Sequence, residues 1–289
     1  MKRPLIAASL SFVLLAACKA SVPTDSAGTA TQAASSANAA SASSAPAAAS
    51  MLPAPSATTV MQDVFHQTVA NDVQVKLQDG RYASYWSGHT FRLAGKAYFV
   101  GFAEYTDAAE NEYPAEADTV SLAEATYVQE SGRWKLIGTH EGIGRFGAFN
   151  KPPQFDADEP AQGADVDGRY VVGIPSVDTA MAGARLSFFE VFAFDPGAGA
   201  WTYLGDVAGG RDTRAGCTTD AGAPQPVPCV VNRATLHFQS TGGKGWPTLT
   251  VSFDGKVVGD NGVVRKATSA DSVVYRRDDN ASTFTKIAH

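Results

Sequence analysis

The spacing of apolar residues changes along this chain, and the changes predict where regular structure begins. Between residues 59 and 69 the apolar positions recur on one helical face: Val60, Met61, Val64, Phe65 and Val69. Thr59 and Gln62 have the spacing of a capping box, which predicts a helix start at Thr59. From residue 73 the period becomes two, the spacing of a half-buried strand. The pattern predicts one short helix followed by β-structure.

Strand-like runs continue to the end of the chain, separated by residues typical of turns such as Ser131-Gly132 and Asn261-Gly262. Residues 98–105 are apolar on both faces, as in a strand buried between two layers. Further strands are predicted at residues 73–77, 89–93, 120–130, 133–137, 170–174, 186–194, 201–204, 235–239, 248–253, 272–276 and 283–287. We therefore expect a mainly β fold made of antiparallel hairpins.

A weak internal repeat suggests how those hairpins are arranged. Residues 125–138 and 190–205 share an apolar strand, a glycine turn, a tryptophan (Trp134 or Trp201) and a closing glycine, and residues 272–287 follow the plan loosely. One such unit could not bury its aromatic face alone, so repetition favours a propeller-like ring or a layered sandwich. Unrelated aromatic hairpins would look similar. At strand spacing these tryptophans and the phenylalanines of 188–194 are expected in the core.

The segment before the helix has no apolar stripe to bury. In residues 19–58, 33 of 40 are Ala, Ser, Thr, Pro or Gly, a composition that cannot repay the entropy of ordering. As a flexible coil it would span about 35 Å. The expected organisation is a tether over 18–58 and a β-rich binding domain over 59–289.

The first eighteen residues have a third composition. Lys2 and Arg3 precede an apolar run over 5–17 that is too short to cross a bilayer and has the length of a secretory signal. The run ends in Leu15-Ala16-Ala17-Cys18, which resembles the lipobox of bacterial lipoproteins. The resemblance implies a signal peptide over 1–17 and acylation of Cys18. Because Lys19 rather than aspartate follows, it also implies an outer-membrane lipoprotein facing the periplasm; an ordinary secretory signal is the alternative.

The net charge of the chain limits its possible binding partners, and its remaining cysteines predict a disulfide. Without residues 1–17 the chain has 21 Lys and Arg against 29 Asp and Glu, a formal charge of −8. This acidity disfavours nucleic acid as a partner and leaves the lipid on Cys18 as the only expected membrane contact. Cys217 and Cys229 are expected to form a disulfide in an oxidising envelope, with a metal or redox pair as the alternative.

Sequence motifs for catalysis were not found. The chain has no G-x-S-x-G, no H-E-x-x-H, no phosphate loop and no dinucleotide fingerprint, and its five histidines show no ligand spacing. We therefore predict no enzyme, no catalytic residue, no metal site and no cofactor.

Acidic residues are the remaining candidates, and they cluster. Seven lie between Glu104 and Glu124 and five between residues 154 and 168, with no Lys or Arg in either stretch. They could form a solvated surface or a calcium site at Asp156-Ala-Asp158-Glu159 or Asp165-Val-Asp167-Gly168. They could also form a protein-binding face. The predicted partner-binding residues are Tyr105, Asp107, Glu110, Glu112, Tyr113, Glu116, Asp118, Asp156, Asp158 and Glu159.

The lipobox, tether, disulfide and acidic loops together resemble immunity lipoproteins, which protect bacterial periplasms against secreted cell-wall-degrading toxins. The resemblance implies a binding protein whose acidic loops occlude a cationic, envelope-active toxin. Two alternatives remain: an envelope hydrolase that cleaves a glycan with paired carboxylates, and a scaffold subunit of an outer-membrane assembly.

Overall fold

The computed structural model of the chain describes residues 52–67, 74–106, 114–179, 183–217, 228–242, 245–278 and 281–287. These residues lie in the unit Ala49–His289 and contain fifteen β-strands and one α-helix. The prediction of a mainly antiparallel β fold with one short N-terminal helix is confirmed. The signal peptide, Cys18 and most of the tether lie outside the described residues. No helix in the described part has the length and apolar character needed to cross a membrane.

Helix α1 (Ala57–Phe65) begins earlier than the capping pattern predicted. Its N-cap is Ser56, whose hydroxyl accepts a hydrogen bond from the Thr59 backbone N–H at 3.1 Å. The start predicted at Thr59 is therefore wrong, because the serine three residues before it satisfies the free N–H group. The helix ends at His66, which adopts a left-handed conformation with φ 57°. The predicted apolar face is buried: Val60, Met61, Val64 and Phe65.

The first sheet has five strands in chain order, each antiparallel to the next. They are β1 (Val75–Lys76), β2 (Tyr82–Leu93), β3 (Lys96–Tyr105), β4 (Val120–Glu130) and β5 (Arg133–Phe146). Helix α1 covers one face of this sheet. A Cβ atom on Gly101 would lie 2.4 Å from a Val60 methyl carbon, so this glycine lets the helix approach β3 closely.

The second sheet contains the remaining ten strands. They are β6 (Gln154–Phe155), β7 (Gln162–Val166), β8 (Arg169–Thr179), β9 (Arg185–Asp195), β10 (Ala200–Asp212), β11 (Val231–Gln239), β12 (Thr248–Val258), β13 (Val264–Lys266), β14 (Val273–Arg276) and β15 (Thr285–Ile287). The order is β15-β14-β12-β11-β10-β9-β8, with β6 and β7 both on the outer edge of β8 and β13 on β12.

This second sheet curls into a half-barrel. Strands β10 and β11 pair only at Arg211 with Asn232 and at Asp212 with Val231. The interior is apolar and includes Val171, Phe189, Val191, Leu204, Leu236, Leu249 and Val251. The Gln162 side chain bridges β7 to β11: its amide nitrogen donates to the Ala234 carbonyl at 3.2 Å, and its oxygen accepts from the Leu236 N–H at 2.8 Å.

Replacing Gln162 by leucine should lower the free energy of unfolding by roughly 1–2 kcal/mol, because it leaves a backbone donor and acceptor of β11 without partners. Urea unfolding followed by tryptophan fluorescence would measure the change. Gln78→Leu is the matched control, since Gln78 is exposed in a turn. Equal stability of the two variants would contradict the bridging role.

The two sheets stack face to face over an aromatic core, which corresponds to the layered alternative and not to the ring. Phe102 of β3 stacks on Phe192 of β9 with ring centroids 4.3 Å apart, and both side chains are fully buried. The two stronger repeat units are the β4–β5 and β9–β10 hairpins. Trp201 is buried between the sheets, whereas Trp134 packs partly buried on the helix side of the first sheet.

The stacking defines two ends of the domain. Tyr98 lies against Phe194 and Phe102 against Phe192, so the end of β3 coincides with the start of β9. We call this the loop end: the end of the two sheets where β3 and β8 finish and β4 and β9 begin. The chain enters the domain at the opposite end, where the Pro53 carbonyl accepts a hydrogen bond from the Trp134 indole N–H at 2.8 Å.

Candidate functional site

The first acidic stretch and the start of the second lie at the loop end, whereas Asp165 and Asp167 lie beside the start of β8 at the opposite end. The Asn150 N–H donates to the Asp118 carbonyl at 2.7 Å, and the Asp156 N–H donates to the Pro175 carbonyl at 3.0 Å. The segment 147–153 therefore links the described parts of the two stretches. Four predicted partner-binding residues, Asp107, Glu110, Glu112 and Tyr113, lie outside the described residues.

Three of the predicted acids have side chains that a partner could reach. Glu116 is exposed, and Asp118 is half-buried with one carboxylate oxygen bound to the Ala115 N–H at 2.7 Å. The Asp158 side chain is 87% exposed. These three are the predicted acids most accessible on the surface of the loop end, where Asp79 and Glu141 are also exposed.

Tyr105 and Asp156 are not part of that surface. Tyr105 is only 6% exposed, packs edge-on against Phe65 of α1 and lies under the Arg81 guanidinium at 4.6 Å. The prediction of an exposed aromatic anchor at Tyr105 is wrong because its side chain points into the helix-covered face of β3. Asp156 is 2% exposed and forms an ion pair with Arg185 at 2.5 Å. It is therefore a buried structural acid.

Two arginines from distant strands form ion pairs with three of the five acids of the second stretch. Arg185 of β9 contacts Asp156 and also lies 4.0 Å from Asp158, and Arg233 of β11 pairs with Glu159 at 3.2 Å. The Asp156 carboxylate, which accepts from the Arg185 guanidinium, raises the pKa of Arg185 above its usual range. A stretch that contains no base in the sequence is thus ion-paired in the fold.

The two outermost acids of the first stretch, Glu104 and Glu124, are buried in the core. Glu104 and Glu124 lie in β3 and β4 and point between the sheets, at 3% and 0% exposure. Burial raises the pKa of both carboxyls. Glu104 accepts a hydrogen bond from the Ser84 hydroxyl. Neither can therefore contribute to a surface field.

Glu124 belongs to a buried hydrogen-bonded chain. It accepts from the Thr126 hydroxyl at 2.5 Å and lies 2.6 Å from Nδ1 of His140. The Thr126 oxygen in turn accepts from the Trp201 indole N–H at 2.9 Å, which ties the first sheet to the second. The chain is a polar cross-link in an otherwise apolar core.

Glu190 of β9 is a third buried carboxyl. It accepts hydrogen bonds from the Tyr203 hydroxyl at 2.6 Å and the Ser176 hydroxyl at 2.8 Å. Burial raises its pKa to about 7, with the nearby Asp206 acting in the same direction. Glu190 was not identified from the sequence, although a single acid inside the apolar run Phe188-Phe189-Glu190-Val191-Phe192 indicates a buried carboxyl.

A cavity of about 270 Å³ opens beside the second acidic stretch, at the mouth of the half-barrel. Its wall contains the apolar residues Pro175, Phe188 and Phe189. Its charged lining is contributed by four strands and loops and consists of Asp158, Glu159, Arg185, Arg211, Asp212, Arg214 and Arg233. The arginines were not identified from the sequence because they are far apart along the chain.

The predicted cysteine pair lies next to this cavity. The Cys217 and Cys229 sulfurs are 2.03 Å apart, in the geometry of a disulfide. The pair joins the segment after β10 to the segment before β11. It thereby holds together the two strands that form one side of the cavity.

The two candidate calcium positions have other partners. Asp156 pairs with Arg185, and the Asp167 carboxylate accepts from the Ser240 hydroxyl at 2.6 Å. Within the described ranges, no group of three or more His, Cys, Asp or Glu side chains is placed to hold a metal ion. Calcium thus stays a prediction without a ligand set in this part of the chain.

Comparison of the chain with protein-family models, curated proteins and solved structures found no match. Its function must therefore be inferred from its own residues and geometry.

Proposed function

We propose that this protein is an envelope-anchored binding protein, most simply an immunity or inhibitor lipoprotein that neutralises a secreted cell-wall-degrading enzyme by occluding it. The lipobox supports an anchor at Cys18, and Lys19 supports an outer-membrane lipoprotein that faces the periplasm. The partner would be a cationic protein active in the envelope.

The opposite placement of chain entry and loop end is the observation that carries this proposal. The chain enters beside Trp134, at the end of the sheets where the Ser131-Gly132 turn lies, whereas Glu116, Asp118, Asp158 and the cavity lie at the other end. With a lipid on Cys18 and about 35 Å of tether, the loop end is the part of the domain turned away from the anchor. It is therefore the part that an incoming protein meets first.

The rigidity and charge of the loop end also suit a binding role. Asp158 sits in the connection between β6 and β7, two strands that both pair with β8, so little conformational entropy is lost when it contacts a partner. Exposed carboxylates raise the association rate of a cationic protein, most strongly at low salt. Ion pairs with Arg185 and Arg233 hold the second stretch in one conformation.

A capture and inhibition experiment tests the proposal. The mature chain, with Cys18→Ser to keep it soluble, is immobilised and exposed to secreted and envelope proteins at low and high salt. We expect it to retain a basic cell-wall hydrolase, to inhibit that hydrolase on purified peptidoglycan, and to release it as salt rises. Asp158→Lys should weaken the complex about tenfold, the effect of removing one favourable rim charge and adding a repulsive one.

Glu130→Lys is the matched control, because Glu130 is an exposed acid at the opposite end. It should leave binding unchanged. Retention that is insensitive to Asp158→Lys would place the interface elsewhere and contradict the role of the loop end. Turnover of peptidoglycan by the purified chain itself would favour the hydrolase alternative, and recovery of integral outer-membrane proteins would favour the scaffold.

A further inference from the structure

The cavity at the mouth of the half-barrel has the features of a small-ligand site. It lies between the starts of β9 and β11 and the end of β10, and the connections that carry Asp158, Glu159 and Arg214 complete its wall. Its volume of about 270 Å³ would hold a group the size of one or two amino-acid residues. Pro175, Phe188 and Phe189 are apolar residues of its lining.

Three of the four arginines in its lining are already matched to a carboxylate. Arg185 pairs with Asp156 at 2.5 Å, Arg214 with Asp212 at 2.5 Å and Arg233 with Glu159 at 3.2 Å. Arg211 differs, because it has no ion pair or side-chain hydrogen bond to any described residue. The Ser187 hydroxyl, which lines the same cavity, also has no side-chain partner among the described residues.

Two glycines fix Arg211 in this position. A Cβ atom on Gly209 would lie 2.6 Å from the Ser187 carbonyl carbon, and one on Gly210 would lie 2.5 Å from the Asn232 carbonyl oxygen. No larger residue fits there, so β10 runs in close contact with β9 on one side and β11 on the other. The pairing register of β10 with β9 shifts between Ala208 and Arg211, which places Arg211 where the three strands meet.

We propose that this cavity binds a carboxylate carried on a small apolar group, such as the C-terminal residue of a peptide, with Arg211 as its charge partner. A guanidinium matches a carboxylate through two parallel hydrogen bonds, and the Ser187 hydroxyl supplies a further donor. The apolar body of the ligand packs against the Phe188 and Phe189 side of the cavity. This site goes beyond the proposed function, because it would bind such a ligand with or without a protein partner at the loop end.

The charged side chains around the cavity favour a ligand that carries a single negative charge. The four arginines face four nearby carboxylates, those of Asp156, Asp158, Glu159 and Asp212. Only Asp158, Glu159 and Asp212 of these carboxylates line the cavity, against four arginines, so one negative charge on a ligand balances the lining and gives Arg211 an ion-pair partner. A dianion such as phosphate would bring a second charge close to Asp158 and Glu159, and like charges repel.

A titration with matched probes tests the assignment. The mature chain with Cys18→Ser, labelled with nitrogen-15, is titrated with acetyl-Gly-Val carrying a free carboxylate, with the same peptide as its amide, and with inorganic phosphate. We expect the free acid to bind in the millimolar range and to shift the backbone amides of Gly209, Gly210 and Arg211. The amide and phosphate should each bind at least tenfold more weakly.

Arg211→Gln should weaken binding of the free acid at least tenfold, whereas Arg133→Gln, an exposed arginine on β5, should change it less than twofold. The spectrum of each variant reports whether the fold is intact. Equal binding of acid and amide, or unchanged binding to Arg211→Gln, would overturn the proposal. Phosphate binding as tight as that of the peptide acid would replace the carboxylate assignment with a general anion site. The capture experiment is repeated with Arg211→Gln. If this variant still retains the protein partner, a failure of the carboxylate site does not count against the proposed function.

Discussion

Replacing Phe192 by alanine should lower the free energy of unfolding by about 3–5 kcal/mol, the largest effect that we expect from a single substitution. Phe192 is 0% exposed and stacks on Phe102 at 4.3 Å. It also contacts Trp86 and Tyr203, with ring centroids 6.1 Å and 5.2 Å away. Removing the ring leaves a cavity between two rigid sheets, which cannot move together to fill it because hydrogen-bonded strands hold them apart.

Urea unfolding of the mature chain measures this loss, and Phe149→Ala is the matched control. Phe149 is 49% exposed at the loop end, so its truncation should change stability by less than about 0.5 kcal/mol. Similar losses for both variants would mean that the two sheets are not held together by the aromatic core.

Replacing Glu190 by glutamine should make the protein more stable than the wild type above pH 7 and leave it nearly unchanged near pH 4.5. Burial raises the pKa of Glu190 from 4.5 to about 7. The folded state therefore binds more protons than the unfolded state between these two values, and stability falls as the pH rises through this window. Glutamine resembles the protonated carboxyl and does not titrate.

The size of the expected gain in stability follows from the pKa shift of Glu190. One pKa unit corresponds to about 1.4 kcal/mol, so the variant should gain about 3 kcal/mol over the wild type at pH 8. Urea unfolding at pH 4.5, 6 and 8 would show the difference growing with pH. The same measurement on Glu116→Gln, an exposed acid, should give a difference near zero throughout. A constant difference between wild type and Glu190→Gln would rule out titration of this group in the window.

Strands could be predicted from the sequence where apolar residues follow one regular spacing. The prediction for residues 120–130 coincides with β4, because apolar residues occupy both faces and a Ser-Gly turn follows. Strand β5 was expected to end at residue 137 but continues to Phe146. Its pairing with β4 shifts register twice, and each extra residue breaks the alternation that a period-two pattern requires.

The candidate site was less predictable than the fold, because charge pairing depends on contacts between distant residues. From its composition, the stretch 154–168 was expected to be purely acidic. In the structure, Arg185 of β9 and Arg233 of β11 form ion pairs with its acids. Glu104 and Glu124 were counted with the clustered acids, although both lie inside the mostly apolar strands predicted at 98–105 and 120–130. The burial of Glu104 and Glu124 was predictable from their apolar neighbours. The arginine partners of residues 154–168 could be identified only once the strand order of the second sheet was known.

The contact between Pro53 and Trp134 also determines how the domain carries mechanical load. If the lipid holds one end and a captured enzyme pulls on the other, tension enters the fold at Pro53, where the single hydrogen bond to Trp134 of β5 breaks first, and then passes along the chain to α1. The helix is held by its apolar face and by the hydrogen bond that the Tyr127 hydroxyl donates to Asp63 at 2.6 Å, whereas the strands are joined by long hydrogen-bonded ladders. Peeling off the nine residues of α1 would extend the linker by about 18 Å while both sheets stay folded. The helix would then yield before the sheets and lower the peak force on the bound complex.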